Sequence, residues 1–317
     1  MGKKLLIGAI SFVLICAVIF CGVMTMFKWD FTRLSTVKYE TNVYSIDEEF
    51  SDISISTNTA NIEIIPTRDP IAKVVCYEAV KLKHSTTVKD GELMVEFKDE
   101  RKWYDHISLD FRTAKITLYL PKGEYGKLKI NSSTGNVIIP EGFNFENIDI
   151  SQTTGNVDCF ATSNGDVKIK ASTGDIKVEK GCVGSLSIEV STGNILVSEI
   201  ECAGDLNVKV STGGAKLSNV NTNTIISSGD TGDISLKKVI AAEGMTIERN
   251  TGNVKFEECD AQELVITTDT GDVKGTLLSD KVFIVKSDTG SVKVPETTNG
   301  GTCKITTDTG DVKIEIK

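Results

Sequence analysis

Few side chains in this sequence are of the kinds that do chemistry. There are two histidines, His84 and His106, and the second lies in Trp103-Tyr104-Asp105-His106, an aromatic and polar run that reads as a solvated surface loop. No Ser-His-Asp order, metal-binding His pair or phosphate-cradling glycine loop occurs, so the sequence names no catalytic residue and no cofactor site. Of the eight cysteines, six lie beyond residue 27: Cys76, Cys159, Cys182, Cys202, Cys259 and Cys303. No Cys-x-x-Cys spacing among them suggests zinc. Cys159 and Cys303 fall on inward strand positions and read as small core hydrophobes. Cys182 and Cys202 each stand eleven residues before a glycine of the repeat described below. That placement stacks them in neighbouring coils about 4.8 Å apart, within disulfide reach, and leaves open both a bridge and a pair of buried thiols.

Carboxylates recur with the same regularity. Asp230, Asp269, Asp288 and Asp308 stand just before a Thr-Gly step, and Asp233, Asp272 and Asp311 just after one. Oxygen ligands in a ladder are the material of a calcium ridge, which makes Asp230, Asp233, Asp269, Asp272, Asp308 and Asp311 metal candidates. Asn136, Asn194 and Asn253 hold equivalent places, which favours simple turn chemistry, because Asn and Asp make the same local hydrogen bonds. An outward lysine column, Lys177, Lys216, Lys255, Lys274, Lys293 and Lys313, runs beside the acids. It can pair with them, meet an anionic wall polymer, or simply solvate a face.

What positions these residues is a repeat. Ten glycines, Gly135, Gly155, Gly174, Gly193, Gly213, Gly232, Gly252, Gly271, Gly290 and Gly310, are spaced by 19 or 20 residues, each preceded by threonine, and eight are followed by Asp or Asn. The seventh and fifth residues before the glycine are apolar, as in Leu186/Ile188 and Leu206/Val208, and so are the second and fourth after it, as in Ile195/Val197 and Ile234/Leu236. Period-two alternation predicts strands with one buried face, and the fixed spacing predicts a solenoid with one coil per repeat. Inward parity slips by one residue at the glycine, which a residue tolerant of positive φ absorbs. The predicted coil is therefore strand, glycine corner, strand, and a looser return of variable length. A single coil buries too little to fold alone, so stacking must hold it, and ten coils make a rod about 45–50 Å long.

The rest of the chain serves this array. Leu5 to Phe27 are 23 residues without a charge, enough for about 34 Å of helix, and Lys3 and Lys4 precede them. This predicts an uncleaved transmembrane anchor with the amino terminus in the cytoplasm and the repeat outside. A cleaved signal peptide fits less well, since the run is long and no small-x-small site follows it. Cys16 and Cys21 lack the preceding small residue that a lipoprotein site wants. Residues 28–38 form a juxtamembrane linker after the anchor at 1–27.

Residues 39–125 read as an irregular β cap, with strands over Asn42–Ile46, Ile53–Ser56, Asn61–Ile65, Lys73–Tyr77, Glu92–Phe97 and Lys115–Leu120. A hairpin is expected at Lys89-Asp90-Gly91, and Thr59-Ala60-Asn61 looks like a worn copy of the repeat turn. The solenoid proper occupies 126–317. Its final stretch, Asp311 to Lys317, is expected to be an open edge strand, with Val312, Ile314 and Ile316 inward and the template for weak homo-association.

The fold class is thus all-β: a single-stranded β-solenoid of about ten 19–20-residue coils, preceded by a transmembrane helix and a β cap. Net charge is −9 and aromatics are 6%, which argues against nucleic acid as a partner. The single anchor, the Leu118-Tyr119-Leu120-Pro121-Lys122-Gly123 segment and the Ser/Asp-Thr-Gly-Asp/Asn turns between Val/Ile strands resemble a bacterial, membrane-anchored family of adhesin-labelled, LiaG-like envelope proteins of unknown function. That resemblance covers nearly everything after the anchor. It implies a place on the outer face of a bacterial membrane, most often in a Gram-positive organism, and carries no reaction and no catalytic residues. The expected function is a non-enzymatic cell-envelope binding or adhesin-like module that meets wall polymer or another envelope protein. A self-associating envelope scaffold is the alternative. A polysaccharide-acting β-helix enzyme comes last, because short returns cannot wall a cleft around clustered carboxylates.

Overall fold

The computed structural model describes residues 2–103, 110 and 112–317. Tyr104, Asp105 and His106 of the expected loop cluster lie outside the described residues. Helix α1 spans Gly2–Met26, and among the described residues it is the one helix long and apolar enough to cross a membrane. A short 3-10 turn, Phe31–Leu34, is capped by the Asp30 carboxylate, which accepts from the Thr32 N–H. Among the described residues, nearly everything after it is strand, turn or loop, and the strands belong to one hydrogen-bonded sheet.

The repeat folds as a parallel β-solenoid in which identical positions stack. Thr134 pairs with Thr154, and the ladder continues through Thr173, Thr192, Thr212, Thr231, Thr251 and Thr270. Leu128, Ile148, Val167, Leu186, Leu206, Ile225, Met245 and Leu264 stack one above another inside, all essentially inaccessible to solvent. Burying such a side chain is worth about 1.5–3 kcal/mol, and each is shared between coils that none could cover alone.

The return is not the loose segment that the sequence suggests. A second fixed corner lies six residues after the glycine, at Lys180, Glu199, Asn219, Lys238 and Glu258, all with φ between 52 and 57°. Inward parity slips there again. Val197 and Leu217 are buried four residues after their glycines, and Ile200 and Val220 seven residues after. In the later coils single strands run through this corner, as in Ala215–Thr231, Ile234–Thr251 and Val254–Thr270. Left-handed backbone costs a residue with a Cβ about 1–2 kcal/mol, and polar side chains pointing to solvent leave that corner free of any further clash.

Residues before the array close its first coil. The cap strands are β1 (Tyr39–Ile46), β2 (Asp52–Thr67), β3 (Ala72–Ala79), β4 (Leu82–Lys89), β5 (Glu92–Asp99) and β6 (Ala114–Pro121). β2 joins two stretches that the sequence separates, and it is a coil in register: Thr59 pairs with Thr134 and Ile62 with Val137. β5 and β6 add one more parallel layer on β2. Direction then reverses. β4 lies antiparallel to β5, β3 to β6, and β1 to β3. β4 was not legible, since Leu-Lys-His-Ser-Thr-Thr-Val-Lys lacks apolar alternation, yet the Asp90-Gly91 turn that creates it was. Both turn residues have positive φ, 51° and 79°, as a two-residue hairpin needs.

At the other end the stacking order departs from the chain order. The strand Gly301–Thr309 pairs with Val254–Thr270 on one side and with Lys281–Thr289 on the other. Val312–Ile316 likewise pairs with Val273–Leu277, and its first two residues pair with Val292 and Lys293. The Gly310 coil therefore sits between the Gly271 and Gly290 coils. This corrects part of the expectation of an open edge at Asp311–Lys317: Val312 and Lys313 are covered by Val292 and Lys293, whereas Ile314, Glu315 and Ile316 pair on one side only, and Val312 and Ile314 are buried as expected. Among the described residues the terminal coil is 281–293. Pro295 suits this outermost place. It follows the Gly290 corner, has no N–H to give to a neighbour, and is tolerated in a sheet only at an edge. Lys281, buried at the crossing, pins the swap through Asp260 Oδ1 at 2.6 Å.

Candidate functional site

Two places gather polar groups: the glycine-corner face of the rod and the interior of the cap. On the corner face, nine of the ten glycines have φ between 129 and 159°. A Cβ added at any of the ten would run into a backbone oxygen of the adjacent coil, that of Ala60 for Gly135 and of Gly213 for Gly232. The glycines thus serve both the turn and the close approach of coils.

The residue after each glycine builds a ladder. The N–H of Asn136 donates to Asn61 Oδ1 (2.9 Å), that of Asn156 to Asn136, that of Asp175 to Asn156 and that of Asn194 to Asp175 (2.8 Å). Gly214, with no side chain, ends this run. A second run goes from Asp233 through Asn253, Asp272 and Asp311 to Ser291, following the swapped order. Asn and Asp interchange because only one side-chain oxygen is used.

Of the metal candidates, Asp233, Asp272 and Asp311 thus have Oδ1 committed to backbone, and Asp230 accepts from Asn250 Nδ2 at 3.3 Å. Lys274 and the Asp311 N–H hold the Asp272 carboxyl below its ordinary value, and the Ser291 N–H and hydroxyl do so for Asp311. Among the described residues, no three of Asp230, Asp233, Asp269, Asp272, Asp308 and Asp311 bring ligand oxygens within 4.8 Å of one another.

The lysine column is continuous only at the swapped end. Lys255, Lys274, Lys313 and Lys293 are successive neighbours, whereas Leu196 and Ser235 interrupt the column earlier. Lys274 pairs with Asp272 (2.5 Å) and Lys313 with Glu315 (2.8 Å).

The structure does not bring Cys182 and Cys202 together. Cys182 lies opposite Glu201 and Val183 opposite Cys202, so one sulfur is exposed and the other buried. The additional residue of the 20-residue spacing falls after Cys202, so counting back from the glycine shifts the register by one. Cys159 and Cys303 are both buried.

The cap interior holds the group that the sequence reading passed over. Cys76 and Glu78 alternate on the inward face of β3, and His84 on β4 folds back over them; all three are buried. Glu78 Oε1 accepts from Asn42 Nδ2 (2.7 Å), and Oε2 accepts from the His84 backbone N–H (2.7 Å). Oε2 also lies 2.6 Å from His84 Nδ1, and Nε2 lies 2.8 Å from Thr57 Oγ1. With Glu78 accepting throughout, Nδ1 carries the proton and Nε2 receives the Thr57 hydroxyl. Burial, with Glu78 adding, pushes the Cys76 thiol up to about 12.

This hydroxyl–imidazole–carboxylate chain has the order of a nucleophilic relay. Thr57, however, sits on the inward face of β2. The adjoining cavity of about 250 Å³, lined by residues that include Tyr39, Leu82, His84, Phe97, Asp110 and Arg112, has His84 and not Thr57 in its wall. In that wall the Tyr39 hydroxyl donates to Asp110 Oδ2 (2.8 Å), and burial with Asp110 raises the phenol well above its ordinary value. The Arg112 guanidinium lies over the Tyr39 ring. The signal in the sequence was Cys76-x-Glu78 on a strand with a histidine six residues on, which a search for His pairs does not see.

Residues 50–206 and 200–317 match the family model described as Toastrack DUF4097. No protein of curated function matches the sequence. Similar solved structures include a Bacteroides fragilis protein named "putative adhesin", 18% identical over 88% of this chain and 97% of its own, with a TM-score of 0.46. A Parabacteroides distasonis "putative lipid binding protein" is 15% identical over 89% and 98%, with a TM-score of 0.42. A "putative adhesin" from the same species is 14% identical over 88% and 98%, with a TM-score of 0.45.

Proposed function

The chain belongs to the Toastrack DUF4097 family, and from that premise we propose that it is a membrane-anchored, extracytoplasmic rod that binds a linear polymer or protein of the cell envelope without catalysing a reaction. Helix α1 is the anchor, with its amino terminus in the cytoplasm, and 12 residues join it to β1 in the cap. The swapped end of the rod is therefore the far end of the stack from the anchor. One observation carries the binding reading: Lys255, Lys274, Lys313 and Lys293 stand in consecutive coils. Cationic groups repeating at the strand spacing of about 4.8 Å suit an anionic chain lying along the rod.

Cosedimentation of the detergent-solubilised full chain with purified wall fractions tests it. The fourfold change of these lysines to glutamate should abolish retention, with Lys89→Glu in the cap hairpin as the silent control. Equal retention of all three proteins would end the proposal.

A second reading, self-association, is favoured by the terminal strand Lys281–Thr289, where Val282 and Ile284 are 38% and 56% exposed. Unpaired edges of this kind template pairing with another chain. Sedimentation across a concentration series, beside Ile284→Lys, distinguishes it from polymer binding.

A further inference from the structure

We propose that Cys76, Glu78 and His84 form a site for a zinc-class divalent cation inside the cap. Among the described residues they are the one group of three or more Cys, His, Asp or Glu side chains whose donor atoms all lie within 4.8 Å of one another, and none is exposed. A thiolate, an imidazole and a carboxylate form the mixed soft and borderline set that Zn²⁺ accepts, and that Mg²⁺ and Ca²⁺, which want oxygen alone, do not. The fold rather than chance proximity sets them. Positions 76 and 78 share a face because they are two apart on β3, and the β3–β4 turn returns His84 over that face.

The surroundings have the form that metal sites use. Ligating histidines and carboxylates commonly have their non-ligating atoms held by a further hydrogen bond, which fixes orientation and tautomer. Here Glu78 Oε1, the oxygen turned from His84, is held by Asn42 Nδ2 at 2.7 Å, and His84 Nε2, the nitrogen turned from Glu78, by Thr57 Oγ1 at 2.8 Å. Two elements remote in sequence, β1 and β2, thus supply the outer contacts to a site built on β3 and β4. His84 also lines the cavity of about 250 Å³, which gives a route in.

The exchange is balanced. Without the cation, one proton bridges Nδ1 and Oε2, 2.6 Å apart. The cation takes its place, Nδ1 and Oε2 separate to about 3.3 Å around bonds of about 2.0 Å, and the imidazole proton resides on Nε2. Thr57 turns from donor to acceptor, and the Cys76 thiol loses its proton to solvent, so one proton is released and no electron moves.

The test uses the full-length protein in detergent, stripped with chelator and then titrated with Zn²⁺ or Co²⁺ alone. Expected are about one metal per chain, a thiolate-to-cobalt charge-transfer band, and a zinc absorption-edge shell with one sulfur among nitrogen and oxygen neighbours. Cys76→Ser should remove the band, and Cys182→Ser should leave it. Should Cys76→Ser not fold, Thr57→Val keeps all three ligands and should weaken binding about 10–100-fold without changing the stoichiometry. A wild-type protein without the band, a band that survives Cys76→Ser, a zinc shell with two or more sulfurs, or unchanged affinity in Thr57→Val would each overturn the site.

Discussion

The cap and the terminal coil face the same difficulty, a stack of coils that must stop somewhere, and meet it with different means. At the cap, parallel strands give way to antiparallel ones, and β1, β3 and β4 cover the last inward row so that Val74, Leu93, Val95 and Leu118 are wholly buried. At the far end no described residue covers the row. Phe283 and Val285, inward by parity, are only half-buried, and the chain instead sends its proline-bearing coil outermost and tucks the following one beneath it. The first solution needs new strand directions and an irregular cap over residues 39–125. The second needs one proline and one buried lysine. The closed end holds a polar cluster in which every member is buried, whereas at the open end buried Lys281 pairs with an Asp260 that keeps some contact with water.

Any change that separates coils in the middle of the stack should exceed the effect of changes at either end. Gly232→Val places a Cβ against the Gly213 carbonyl at a φ of 129°. The expected loss is about 3–5 kcal/mol, read as a fall in denaturant midpoint, while Ser235→Val on the outward face stays within about 0.5 kcal/mol. Equal midpoints would show that the corner carries no special strain. The two ends come next. His84→Ala leaves Glu78 buried with two donors instead of three, for a loss of about 2–4 kcal/mol. Lys281→Met should lose about 1 kcal/mol, because Asp260 keeps bonds from Ser279 Oγ and the Ala261 N–H and some contact with water. Reversal of that order would break the contrast between closed and open ends.

How far the sequence could be read follows the same division. The Thr-Gly steps and the flanking Val and Ile rows give the coil, its inward face and the place of the worn turn at Ala60, because a repeated pattern averages out local exceptions. The corner at Lys180, Glu199, Asn219, Lys238 and Glu258 escaped, because these residues share no side-chain type, only a backbone angle. Its trace was the shift of buried positions from Leu236 to Val239, an odd step. The swapped order could not be read from the repeats at all, because Thr289-Gly290 and Thr309-Gly310 offer identical pairing surfaces, and only Pro295 distinguishes them. His84 was missed because its partner Thr57, and Asn42, the partner of Glu78, lie 27 and 36 residues from the groups they hold and belong to strands whose pairing no periodicity reveals.

The two ladder runs differ in one property that can be titrated. Near the cap the acceptors are Asn61, Asn136 and Asn156, which carry no charge. Near the open end Asp272 and Asp311 accept, and their carboxyls lie below the ordinary value near 3.8. A depressed folded value means that this contribution is complete above the unfolded value and is lost as pH falls through the folded one. Amide protection over 272–316 should therefore decline below pH about 4 before protection over 136–157 does. Changing Asp272 and Asp311 together to Asn should remove the difference. Hydrogen exchange that weakens both regions in step would show that the acids are not what separates them.

The smallest effect on stability is expected at Pro295, and it bears most directly on why the open end stays open. Pro295→Thr gives the terminal coil an N–H and a β-forming residue where the chain now leaves the sheet. No described coil lies beyond it to accept that bond, so the midpoint should move by no more than about 0.5 kcal/mol. The stack order should also persist, because Lys281 and Asp260 still hold the crossing. What changes is the edge itself: an uninterrupted strand after Gly290 would offer a longer row of unpaired groups beside the exposed Val292. Sedimentation should then show concentration-dependent association for Pro295→Thr at concentrations where the wild type does not associate, and adding Ile284→Lys should reverse it. If Pro295→Thr stays as monodisperse as the wild type, proline is not the guard of this edge, and Lys286 and Lys293 become its remaining charged guards. If it instead unfolds, Pro295 stabilises the coil that it was assigned only to end.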